Sequence, residues 1–162
     1  YHPQTKAILT DEENAFVERH VPRTVFLNDS DVDITEVRTH KDSWIIKPTD
    51  SYGARDVYAG LSLSEKEWSE LIDKFANNAS GNPFIAQTYI TPFKTHTLAP
   101  DAGIERLSDE EIDTNGTWYN NLSGLYLYNG EFQGIFSRLG PHPTISKENE
   151  GMTAATLHVR GC

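Results

Sequence analysis

The chain is poor in cysteine, in positive charge and in long apolar runs, and each shortage closes off a class of function. One cysteine, Cys162, stands at the last of 162 positions. Neither an intrachain disulfide framework nor a cysteine-based zinc site can form from it. Lys and Arg number 14 against 24 Asp and Glu, giving a formal net charge of −10. Proteins that grip a nucleic-acid duplex neutralise phosphates with clustered cations. No such cluster occurs, so no nucleic-acid partner is expected. No apolar run approaches the about 20 residues that span a bilayer, and no charged-then-apolar leader pattern is present. No membrane partner is expected, and the expected location is cytoplasmic. Triplets with glycosylation spacing begin at Asn28, Asn78, Asn115 and Asn121, but such triplets are common by chance in an Asn-rich chain. The six histidines show no metal-ligand spacing, and no activated Ser, Cys or Thr nucleophile announces itself.

What is present suits a core-forming domain. Three Trp, seven Tyr and seven Phe supply bulky apolar material within a hydrophobic fraction of 37%, and the length is that of one domain. Thr10 with Glu13 makes a capping box ahead of a helix over 11–20, with Ala15, Phe16 and Val17 facing inward. A weaker helix is expected within 31–41, where Ile34 and Val37 stand three apart. Residues 44–48 and 57–61 read as strands joined by turn-forming residues 49–56. Ser64 and Glu67 open a second capped helix whose Trp68, Leu71, Ile72 and Phe75 follow helical spacing. Residues 84–90 read as a strand, and 94–115 as an irregular acidic stretch with a short helical turn after Ser108. Asn129-Gly130, suited to a type I′ turn, joins strands 125–128 and 131–136. A last strand is expected at 155–159. Hairpins with adjoining helices predict an α+β fold with a largely antiparallel sheet and packed helices.

Three places invite chemistry. Lys47 sits within an apolar strand, where burial is costly unless its ammonium meets an anion; simple alternation would instead leave it in solvent. The loop that follows offers the backbone amides of Ser51, Tyr52, Gly53 and Ala54 with little side-chain obstruction, and Gly53 permits close approach to a phosphate. Arg55 adds planar donors. A lysine strand, a small-residue loop and a returning strand recur in covers over triphosphates, as in the glycine-rich loop of protein kinases. The loop is not a P-loop, because the Gly-Lys-Ser/Thr ending is absent. Gln87, Thr88, Tyr89 and Ile90 read either as an adenine slot or as a half-buried strand with polar outward residues. Arg138 closes a strand beside Gly and Pro, placed either to clamp phosphate or to pair with an acidic loop.

These blocks taken in order resemble the circularly permuted ATP-grasp proteins, the relatives of glutathionylspermidine synthase. The carriers are WIIKPTDSYGARDVYAG from Trp44 to Gly60, LTDEE from Leu9 with VPRT from Val21, FIAQTYI from Phe84, and GLYLYNG from Gly124 running on to Ser137, Arg138 and Leu139. The resemblance implies an ATP-grasp-like nucleotide-binding portion. Lys47 would contact ATP phosphates and Ser51–Ala54 would close over them, with Arg55 beside them. Gln87, Thr88, Tyr89 and Ile90 would line the adenine pocket, and Arg138 would steady phosphate charge. It implies ATP and magnesium as cofactors, and carboxylate and amine substrates joined as an amide through an acyl phosphate. The family's magnesium-binding carboxylates and Asn, and its first ATP-contacting lysine, would precede residue 1, and the double glycine expected within 144–151 is absent. The chain is therefore expected to be a single C-terminal fragment, inactive without its upstream half. The alternative is a binding or interaction module that keeps the fold without the reaction.

Overall fold

A computed structural model describes residues 3–29, 32–77, 81–97 and 116–156. The chain divides into two compact units, Tyr1–Ile90 and Thr91–Cys162. Both are built on antiparallel sheets, and the α-helices among the described residues belong to the first, so the fold class is α+β.

The first unit carries α1 (Pro3–Ile8), α2 (Asp11–His20), β1 (Thr24–Phe26), α3 (Ile34–Thr39), β2 (Trp44–Pro48), β3 (Tyr58–Ala59), α4 (Glu65–Ala76) and β4 (Phe84–Thr88). Its strands lie in the order β1-β4-β2-β3, every pair antiparallel. The register sets Trp44 opposite Thr88, Ile46 opposite Ala86 and Pro48 opposite Phe84. Because side chains alternate across a strand, these residues share one face, and that face is the buried one. Trp68, Ile72 and Phe75 of α4 pack on it with Val37 of α3. Phe75 and Phe84 stack with ring centroids 3.6 Å apart, and the Trp68 indole donates to the Val37 carbonyl at 3.0 Å. Trp68 and Ile72 are completely buried, each contributing about 1.5–3 kcal/mol from burial alone.

The caps form as the sequence dictates. Thr10 and Glu13 close the box on α2, and Ser64 and Glu67 close it on α4. Asp33 caps α3 by accepting from Thr35 and Glu36 at 3.0 and 3.1 Å. Phe16, expected to face inward, is 56% exposed, resting on the His20 ring one turn on; no residue of α2 is fully buried. The strand expected at 57–61 is cut to Tyr58–Ala59, because Gly60–Ser62 tightens into a 3₁₀ turn. That turn presses on another at Lys41–Ser43: a Cβ on Gly60 would stand 2.0 Å from the Lys41 carbonyl oxygen.

The second unit carries β5 (Lys94–Thr97), β6 (Thr117–Tyr128), β7 (Glu131–Gly140) and β8 (Met152–Ala154), hydrogen-bonded in that order. At the β6–β7 turn Asn129 has φ 51° and Gly130 φ 80°, the two positive values a type I′ turn requires. A bulge between Tyr126 and Leu127 shifts the register. β5 lies within the stretch expected to be irregular; its sequence, Lys-Thr-His-Thr, carries no apolar residue to signal a strand. The last strand among the described residues is Met152–Ala154; residues 157–159 of the strand expected at 155–159, and the helical turn expected after Ser108, lie outside the described residues.

Two outcomes are expected. Gly60→Ala should destabilise the chain by about 3 kcal/mol, read from urea unfolding; an unchanged midpoint would refute the close approach to Lys41. Hydrogen bonds from the Ser64 hydroxyl and amide lower the Glu67 carboxyl pKa. A folded pKa below the unfolded one gives stability present above the ordinary glutamate range and lost as pH falls through the folded value. Glu67→Gln should therefore flatten the acid limb of a stability–pH curve, and an identical acid limb would show that the box does not titrate.

Candidate functional site

The face of the first sheet opposite α4 mixes polar with apolar side chains where its counterpart is apolar. Thr24 of β1 stands opposite Gln87 of β4, which stands opposite Ile45 of β2, and Lys47 lies two residues beyond Ile45 on the same face. All four are half-buried. The Lys47 ammonium donates to the Gln87 Oε1 at 2.9 Å, the Gln87 Nε2 donates to the Thr24 Oγ1 at 2.7 Å, and the Thr24 hydroxyl donates to the Pro22 carbonyl at 2.9 Å. No carboxylate among the described residues pairs with Lys47. Beside it opens a cleft of about 640 Å³, bordered by Thr24, Phe26, Asp29, Lys47, Thr49 and Ser51.

The loop between β2 and β3 is pinned at its start. The Thr49 hydroxyl donates to the Asn82 Oδ1 at 3.1 Å, and the Asn82 Nδ2 donates to the Asp50 carbonyl at 2.9 Å. Further on, Gly53 and Ala54 both take left-handed conformations, at φ 66° and 59°. Ala54 has a Cβ, so its conformation costs about 1–2 kcal/mol. The Ser51 hydroxyl donates to the Arg55 carbonyl at 3.1 Å, and the Arg55 guanidinium lies 5.3 Å from the Tyr52 ring centre.

The sequence-predicted residues sort as follows. Lys47 and Ser51 border one cleft, and Gln87 bonds directly to Lys47. Tyr52 and Arg55 border a second cleft of about 420 Å³, with Lys74 and Asn82, and Ser51 borders both. Gly53 and Ala54 are in neither lining. Thr88 ends β4 with its amide donating to the Arg23 carbonyl at 2.8 Å. Tyr89 has left the ladder, its amide on the Ser43 carbonyl at 2.8 Å, and burial raises its phenol pKa. Ile90 is 63% exposed. Arg138 belongs to the second unit, opposite Leu122 on β6 and Thr153 on β8, exposed and without an ion pair among the described residues. Sequence reasoning missed Thr24 and Asn82. Thr24 lies on a three-residue strand too short to register as periodic, and Asn82 looked like loop punctuation before Pro83.

Compared with protein-family models, with curated proteins and with solved structures, the chain has no match.

Asn82→Ala removes both anchors of the loop. It should cost about 1–2 kcal/mol and make the native chain several-fold more susceptible to trypsin at Arg55. Cleavage at the native rate would mean that the loop is held by other contacts.

Proposed function

We propose that this chain is the nucleotide-binding portion of an ATP-dependent carboxylate–amine ligase of the circularly permuted ATP-grasp type, with Lys47 as its phosphate-binding cation. The observation that carries the reading is the state of Lys47: a half-buried ammonium on the wall of a 640 Å³ cleft whose protein partner is a neutral amide. Removing a cation from water costs several kcal/mol unless an anion compensates. In a chain with 24 acidic residues, an ammonium that pairs with no carboxylate among the described residues is suited to an anion from outside. The cleft volume falls within the about 300–1,000 Å³ usual for small-molecule sites. Ser51, the first residue of the small-residue loop that the resemblance assigns to the phosphates, borders this cleft, and the antiparallel α+β architecture is compatible with the reading.

In such a ligase the terminal phosphoryl group of ATP passes to a substrate carboxylate, and an amine displaces phosphate from the acyl phosphate to form the amide. The protein's share is positioning and charge neutralisation. Lys47 would balance phosphate charge. Magnesium would accompany the nucleotide. Among the described residues no three His, Cys, Asp or Glu side chains converge to hold a metal.

Calorimetric titration of ATP with magnesium into the chain tests the proposal. Saturable binding is expected, and Lys47→Ala should weaken it by a charge-assisted hydrogen bond of about 1.5–3 kcal/mol, about ten- to a hundredfold in affinity. Unchanged affinity in the variant, or no saturable binding by the native chain, would overturn it.

A further inference from the structure

We infer that Gln87, backed by Thr24, is a positioning residue that aims the Lys47 ammonium at a polyphosphate without neutralising it, and that its amide does not read the base. The inference rests on the proposed phosphate-binding role of Lys47 and departs from the adenine-lining role that the resemblance gives Gln87.

The direction of the hydrogen-bond chain is forced by chemistry. An ammonium can only donate, so the Gln87 carbonyl oxygen must face Lys47 and its amide nitrogen must face away. The nitrogen donates to the Thr24 hydroxyl, and that hydroxyl in turn donates to the Pro22 carbonyl. Both ends of the amide are thereby engaged within the protein. One lone pair and one N–H are committed to the protein, and a purine that took either of these two would leave Lys47 or Thr24 without its half-buried partner.

The same chain explains why the partner is an amide. A carboxylate at position 87 would hold the ammonium equally well in space but would cancel its charge. Gln87 fixes the direction of one N–H and leaves the charge available, with the other two donors of Lys47 unmatched among the described residues. Asp29 borders the same cleft, yet no ion pair joins it to Lys47. Thr24 matters because its hydroxyl prevents the amide from turning over and presenting its nitrogen to a cation. The ligand class is thus set by phosphate charge: a nucleoside triphosphate or an inorganic polyphosphate chain.

Equilibrium titrations of the full chain with inorganic tripolyphosphate and, separately, with ATP distinguish these sources. Gln87→Glu should weaken both probes by about tenfold and by equal factors, with a melting temperature no lower than that of the native chain. A lost packing role would lower the melting temperature instead. Thr24→Val should weaken both by about threefold, and Thr24→Ser should restore native affinity. Native affinity in Gln87→Glu would overturn the inference while leaving the Lys47 reading intact. A loss confined to ATP would also overturn it, because Gln87 would then be reading the base. Tripolyphosphate binding that depends on Gln87, with no binding of ATP, would sustain the inference and remove the nucleotide reading. Absence of binding by either probe would remove both.

Discussion

The first unit depends on one constraint, the two-residue repeat of β2 and β4. With side chains alternating across the sheet, Trp44, Ile46 and Pro48 must share a face, and Ile45 and Lys47 must share the other. Once α4 covers the first set with Trp68, Ile72 and Phe75, a slip of one residue would drive Lys47 into the core and expose Trp44 and Ile46. The cost of burying that ammonium among aromatic rings far exceeds any hydrogen bond gained. The core and the candidate site are therefore two faces of one register.

Among the cations of this unit, Lys47 is set apart by the kind of partner it has. Lys6, Arg23, Arg38, Lys41 and Lys66 each pair with a carboxylate, and exposed pairs of that kind contribute little, about 0–1 kcal/mol. Arg55 and Lys74 lie over the rings of Tyr52 and Phe75. Of the nine Lys and Arg in this unit, Arg19 being the one not named above, only Lys47 is held by a side-chain amide, itself held by a hydroxyl. A protein rich in acids has cheap ways to neutralise a lysine, and this position uses none of them. That choice of partner, more than the presence of the lysine, gives the site its chemical character.

The second unit follows a different physical rule. A two-stranded ribbon is marginal alone and gains stability from further strands. Here β5 braces β6 at Thr117–Asn120 and β8 braces β7 at Ser137–Leu139. Leu139 is buried in that braced part, whereas Leu125, Leu127, Tyr128 and Phe132, toward the turn, are 60% exposed or more. The turn itself is set locally by Asn129 and Gly130. Arg138 stands in the braced part, its backbone paired on both sides, so its starting position on the sheet is fixed even though its side chain is exposed.

Much of this architecture was legible in the residues. Capping boxes at Thr10 and Ser64, the apolar stripe of α4 and the Asn-Gly turn are short-range signals, each governed by groups within a few residues of one another, and each formed as read. Lys47 and its neighbouring loop were also identifiable, because a cation in an apolar strand is anomalous by itself. Strands β1 and β5 were not legible: one is three residues long and the other has no apolar side chain, so both exist because a longer partner strand offers them a ladder. The inward reading of Phe16 failed because helical spacing states which residues share a face but not whether anything covers it. Above all, the bond between Lys47 and Gln87 joins residues 40 positions apart, and the bond between Gln87 and Thr24 joins residues 63 apart. The sequence by itself determined the local elements and the identity of the cation. Only the pairing of three distant strands decided its neighbour, because hydrogen bonds across a sheet follow register and register is a property of the whole fold.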